Sequence, residues 1–158
     1  VAGLFDGKMR IPINYGKYPL STLRAVLRHE YTHALVHDIA GKECPIWLNE
    51  GMAMVMMEGE KWADTQGLKK AMASGSIFTL SQLSDPATWK SVPNLSLAYA
   101  QSWSMVSYMF YRWSKRDVRL IFSAIKKGSS FDSELQKRLG RTPSQFMEEW
   151  LFYARSRL

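Results

Sequence analysis

From Leu20 onward, long stretches with apolar residues at helical spacing alternate with glycine, proline and serine punctuation. Leu23, Val26, Leu27, Ala34 and Leu35 mark the apolar face of the first stretch. Ser21 is expected to cap it and Gly41 to end it, giving a helix of about five turns. A second helix is expected from Pro45, its period carried by Met52, Val55 and Met56 as far as Gly59, and a third, more polar one over 61–74. Residues 75–95, rich in serine and proline without a steady period, read as a long connection. The helical period returns at Leu97 through Trp103, Val106, Phe110 and Trp113. KRDVRLIFSAIKKG and FDSELQKRLG predict two shorter helices stopping at Gly128 and Gly140. A last helix is marked by Thr142 as cap, Pro143 at the first helical position and Gln145 at the third.

The N-terminal stretch has a different pattern, with turn formers at Gly7, Pro12, Asn14, Gly16 and Pro19. LFDGK reads as a tight turn and MRIPI as a short strand. Pro12 cannot donate to a ladder, so that strand belongs at an edge, where an extended peptide could add alongside it. The expected class is therefore α+β and mainly helical, with a short N-terminal β element and a C-terminal helical half. No internal repeat or boundary divides the 158 residues, which predicts a single domain over 1–158. The start lacks an initiator methionine and the pattern of a signal peptide, and reads as part of a longer protein.

Composition narrows the function classes. Hydrophobic residues at 46% and charged residues at 22% are globular values, and no segment approaches the ~20 uninterrupted apolar residues of a membrane span. The net charge of +7 is dispersed in small groups such as Lys69-Lys70 and Lys126-Lys127, so nucleic-acid binding is not expected. Cys44 is the only cysteine, which excludes a disulfide scaffold and a Cys-rich zinc knuckle.

All three histidines fall within RHEYTHALVH. His29 and His33 are four apart, about 40° around a helix and one turn along it, so both rings can reach one metal ion. Glu30 beside them can serve a metal-bound water as base. Catalytic zinc takes a third protein ligand and keeps a position for water. His37 has drifted about 80° from His29 and suits a supporting role. A third histidine further along the same helix is absent, since Ile39 and Val36 occupy the positions that such a motif requires. Glu50, in WLNEGMA 17 positions after His33 and on the next helix, is a remaining candidate that two antiparallel helices could bring onto the same ion.

HExxH followed by a helix bearing NEG resembles the gluzincin metallopeptidases, and WLNEGMA is similar to the corresponding phrase of their aminopeptidase-like branch. The AGLFDGKMRIPI start, LAYAQSWSMVSYM and RTPSQFMEEW extend the resemblance over the whole chain to the bacterial peptidase MA-like domains. It implies a zincin-like fold, Zn2+ held by His29, His33 and Glu50, Glu30 as general base, a peptide or protein substrate, and export from the cytoplasm. It also implies that Tyr99, in AYAQS, stabilises the oxyanion. Tyr108 and Tyr111 lie downstream at helical spacing and read as packing residues. An acidic anchor for a peptide amino terminus is missing ahead of HExxH, which favours endopeptidase over aminopeptidase action. The competing class is an inactive, zinc-stabilised module that binds peptides or proteins.

Other prominent residues have structural readings. Met52, Met54, Met56 and Met57 are expected to fill the core behind the site, and Trp103, Trp113 and Trp150 to anchor helix packing. Gly51 would let two helix backbones approach closely, Asn49 would brace the site or begin its helix, and Cys44 reads as a buried thiol.

Overall fold

The computed structural model describes residues 4–5, 9–10, 19–57, 62–90 and 92–158. The described elements are β1 (Leu4–Phe5), β2 (Met9–Arg10), α1 (Leu20–Ala40), α2 (Ile46–Met56), α3 (Thr65–Ser74), α4 (Leu80–Ser84), α5 (Pro86–Lys90), α6 (Val92–Arg112), α7 (Lys115–Lys126), α8 (Phe131–Leu139) and α9 (Pro143–Arg157).

The α+β expectation is corrected: among the described residues the body of the protein is helical and no sheet layer contributes to it. Among the described residues β1 and β2 meet antiparallel through Leu4 with Arg10 and Phe5 with Met9. A contact that short falls below the three or more strands that an independent sheet requires, so it does not amount to a β element of the fold. Within MRIPI, the described residues Met9 and Arg10 are extended. Ile11, Pro12 and Ile13, the Gly7 turn and Gly16 lie outside the described residues, as does Gly59.

Caps set the helix ends. α1 begins after Pro19, whose carbonyl accepts from the Thr22 and Leu23 amides, so Ser21 lies inside the first turn instead of capping it. Gly41, at φ 74°, closes the other end as expected. α3 starts at Thr65 because Asp64 accepts from the Gly67 amide at 2.8 Å. Residues 75–95 are not a plain connection: Thr79 and Gln82 form a reciprocal capping box that starts α4, α5 follows, and α6 has begun by Val92. Gln101 fixes the approach to α4, its side chain accepting from the Phe78 amide at 2.9 Å and donating to the Phe78 carbonyl at 2.7 Å. The Thr142–Gln145 box and Pro143 start α9 as read from the sequence.

α6 is the central helix, packed against α2, α3, α5 and α9, while α2 also packs on α1 and α1 on α7. The main core surrounds Trp47, Phe131, Phe146 and Trp150, with Trp47 edge-on to Phe131 at 5.0 Å. Trp150 satisfies its indole N–H on the Ser104 hydroxyl at 3.1 Å. Met54 and Met57 form a smaller buried cluster with Ala25, against which Tyr99 and Trp103 pack. Met56, by contrast, is 50% exposed, so the methionines do not form one core unit. No described helix is long and apolar enough to cross a membrane.

Candidate metal centre

α1 and α2 supply the site, joined by the turn at 41–45 that lets α2 pack beside α1. His29 and His33, one turn apart on α1, present their rings at 4.7 Å and near-perpendicular. Glu50, in the second turn of α2, directs Oε2 to 3.6 Å from the Nε2 atoms of both histidines. The candidate ligand atoms of all three residues lie within 4.8 Å of one another. His37 is on the same helix but outside this group.

The donor set and its spacing fit a divalent zinc-like ion. Two ligands each about 2.1 Å from a tetrahedral centre stand roughly 3.4 Å apart, close to the two imidazole–carboxylate separations seen here. Glu50 Oε2 is buried with no hydrogen-bond partner, and so is His29 Nδ1. A buried carboxylate oxygen lacking a donor carries a desolvation cost that a cation between it and the imidazoles would relieve.

Asn49, the residue before Glu50, braces the pair. Its Oδ1 lies 3.0 Å from His33 Nδ1, and a carbonyl oxygen there accepts the Nδ1 proton. The Nε2 lone pair of His33 is thereby left facing Glu50, the usual arrangement behind a metal-ligating histidine. Of the two sequence readings of Asn49 the bracing one holds, since α2 begins at Ile46 after Pro45 and Asn49 does not start it.

Glu30 follows His29 on α1 and is only 4% exposed. Tyr99, on α6, faces both carboxylates. Burial holds its phenol well above the usual tyrosine range, and the charges of Glu50 and Glu30 and a hydrogen bond to Glu50 add to that effect. Tyr99 therefore keeps its proton and is a donor at neutral pH. Trp89 of α5 packs edge-on against its ring at 5.2 Å. The sequence reading missed Trp89 because it lay in a segment taken as a connection. The capping box at Thr79 was the available signal.

Gly51 explains how α6 comes so near. A Cβ at this position would stand 2.5 Å from the Ser102 carbonyl oxygen and 2.6 Å from a Val106 methyl, so only glycine lets α2 lie this close to α6. Tyr108 is buried and donates to Glu149 at 2.7 Å, remote from the His–Glu group, while Tyr111 is exposed against Tyr153. Burial pushes the Cys44 thiol up to about 12, so it is not a thiolate ligand or nucleophile at neutral pH.

Among the families compared, the model described as Peptidase MA superfamily matches residues 10–154. No curated protein and no solved structure matches the chain.

Proposed function

The chain belongs to the Peptidase MA superfamily, and we propose that it is a zinc-dependent peptidase of the gluzincin type that cleaves within peptide chains. One observation carries this reading: His29, His33 and Glu50, from two separate helices, bring two imidazole nitrogens and a carboxylate oxygen together, with the buried Glu30 beside them. These three residues would hold the ion. Bound there, zinc would supply a Lewis acid for the scissile carbonyl and a water of lowered pKa.

The protein's own groups account for the remaining chemistry. Glu30 takes a proton from the attacking water and returns it to the leaving amine, as a general base and then a general acid. Its burial places this exchange away from bulk water. Tyr99 keeps its proton and can donate to the oxygen that becomes negative as water adds to the carbonyl. Asn49 holds the His33 ring and its tautomer. A purely structural zinc site closes with four protein ligands, whereas three converge here beside a carboxylate and a phenol.

The test is metal analysis of the purified protein together with digestion of a peptide library, with and without chelator. Zinc near one equivalent per chain and chelator-sensitive internal cleavage that Glu30→Gln abolishes are expected. Bound zinc with no cleavage of any peptide would replace the peptidase with a zinc-stabilised binding module.

A further inference from the structure

A second feature lies apart from the His–Glu site: an apolar groove of about 240 Å3 between α1, α2 and α7. Its floor is formed by the buried Val36, Val118 and Phe122, with Phe110 from α6. Leu35, Ile39 and Met56 stand at its mouth and remain 40%, 37% and 50% exposed. None of His29, His33 and Glu50 lines it.

Three observations identify its occupant. The volume is below the roughly 300–1,000 Å3 of small-molecule sites and suits one or two apolar side chains. The apolar surface does not stop at the groove, because Tyr31 and Leu27, four and eight residues before Leu35 on α1, are 57% and 47% exposed. Such a strip has room for a chain segment. The third observation is charge: exposed Lys115 and Arg119, one turn apart on α7, line the groove, and among the described residues no acidic one does. Neither cation has an ion pair among the described residues.

We propose that the α1–α7 groove docks an acidic peptide segment of a protein partner, with two apolar side chains seated between Leu35, Ile39 and Met56 and carboxylates meeting Lys115 and Arg119. Apolar anchors at helical spacing flanked by charge are a common way for a segment to enter such a groove. A second copy of this chain is a poor occupant, since each copy carries +7 and would bring like charge to a cationic groove. A lipid surface is flat, whereas this feature is a recess whose cations stand on the α7 side.

The proposal is independent of catalysis, so it is tested on the Glu30→Gln protein, where cleavage cannot interfere. The probes are a fluorescein-labelled peptide with leucines at i and i+4 among glutamates, its lysine-for-glutamate counterpart, and phosphatidylglycerol vesicles. The acidic peptide should bind and the lysine peptide should not. Affinity should fall about tenfold or more in Lys115→Glu/Arg119→Glu and in Leu35→Asp, and remain unchanged in the charge-reversal control Lys69→Glu. Leu35, Lys69, Lys115 and Arg119 are all exposed, and thermal melting verifies that each variant, like the Glu30→Gln parent, is folded. Equal binding of both peptides, or an acidic-peptide affinity unaffected by the α7 double variant, would overturn the proposal. So would vesicle binding without peptide binding, or a concentration-dependent dimer abolished by the same double variant.

Discussion

Gly51→Ala tests whether the packing of α2 on α6 sets the geometry of the proposed zinc site. The new Cβ would stand 2.5 Å from the Ser102 carbonyl oxygen, 2.6 Å from Val106 Cγ2 and 2.9 Å from the Ser102 carbonyl carbon. Neither neighbour yields easily: one is backbone inside a helix, and the other is a β-branched side chain with little χ1 freedom. Restoring a carbon–oxygen contact of about 3.3 Å requires the helices to part by roughly 0.8 Å. Overpacking of this kind costs about 1–3 kcal/mol, offset by about 1 kcal/mol because alanine favours a helix over glycine. A net loss of up to about 2 kcal/mol should lower Tm by up to roughly 8 °C in a chain of this size. Glu50 precedes the substituted residue, and ligand positions tolerate only about 0.2 Å of error, so zinc affinity should fall at least about tenfold. Calorimetry of the metal-free protein and competition against a chromophoric chelator measure the two effects separately. An alanine variant with parental Tm and parental zinc affinity would refute the claim that this close approach positions Glu50.

Glu50→Ala should reduce zinc stoichiometry and abolish the rise in Tm on adding zinc, since binding to a site made by two helices is linked to folding; unchanged zinc content would move the third-ligand role elsewhere. Tyr99→Phe should retain zinc and fold while lowering kcat by about 10²-fold with little change in KM, because its donor acts on charge that develops in the transition state. A kinetically silent Tyr99→Phe would remove it from the mechanism. Acid stability should depend on Glu149: burial raises its pKa, but hydrogen bonds from Tyr108 and Arg141 and the nearby guanidinium charges outweigh this and hold it below the usual value. A carboxyl depressed in the folded state stabilises above its unfolded pKa of about 4.3, and that contribution is lost as pH falls through the folded value. Glu149→Gln should therefore destabilise at neutral pH and flatten the fall in Tm below about pH 4; an unchanged acid limb would refute this.

Much of the architecture was legible because its signals are local. Gly41, Gly140 and the Thr142–Gln145 box end or begin helices through backbone geometry and hydrogen bonds that a few neighbouring residues determine. The HExxH pair was legible for the same reason, since a spacing of four fixes which side chains share a face. What failed was inference across short segments. MRIPI looks like a strand by composition, but a strand needs a partner sheet, and among the described residues it pairs only through Met9 and Arg10. Residues 75–95 lack a period because helices as short as α4 and α5 complete too few turns to display one, even though Thr79 and Gln82 announce the first of them.

Glu50 and Tyr99 could be named from the sequence, but not how they come together, because that depends on a feature with no motif. Ala98, Ser102 and Val106 recur every fourth residue along α6 and therefore share a face, and all three are fully buried or nearly so. Ser102 and Val106 are the residues that Gly51 approaches. Small side chains on α6 and the absent side chain on α2 thus allow contact between the two backbones, and both helices carry a residue of the proposed site at the contact: Glu50 immediately before Gly51, and Tyr99 three residues before Ser102. The separation of carboxylate and phenol is consequently set by backbone packing and not by flexible side-chain reach, which is the precision that a preorganised site requires. Ser102 Oγ is buried there without a hydrogen-bond partner, a desolvation cost located where the two helices meet.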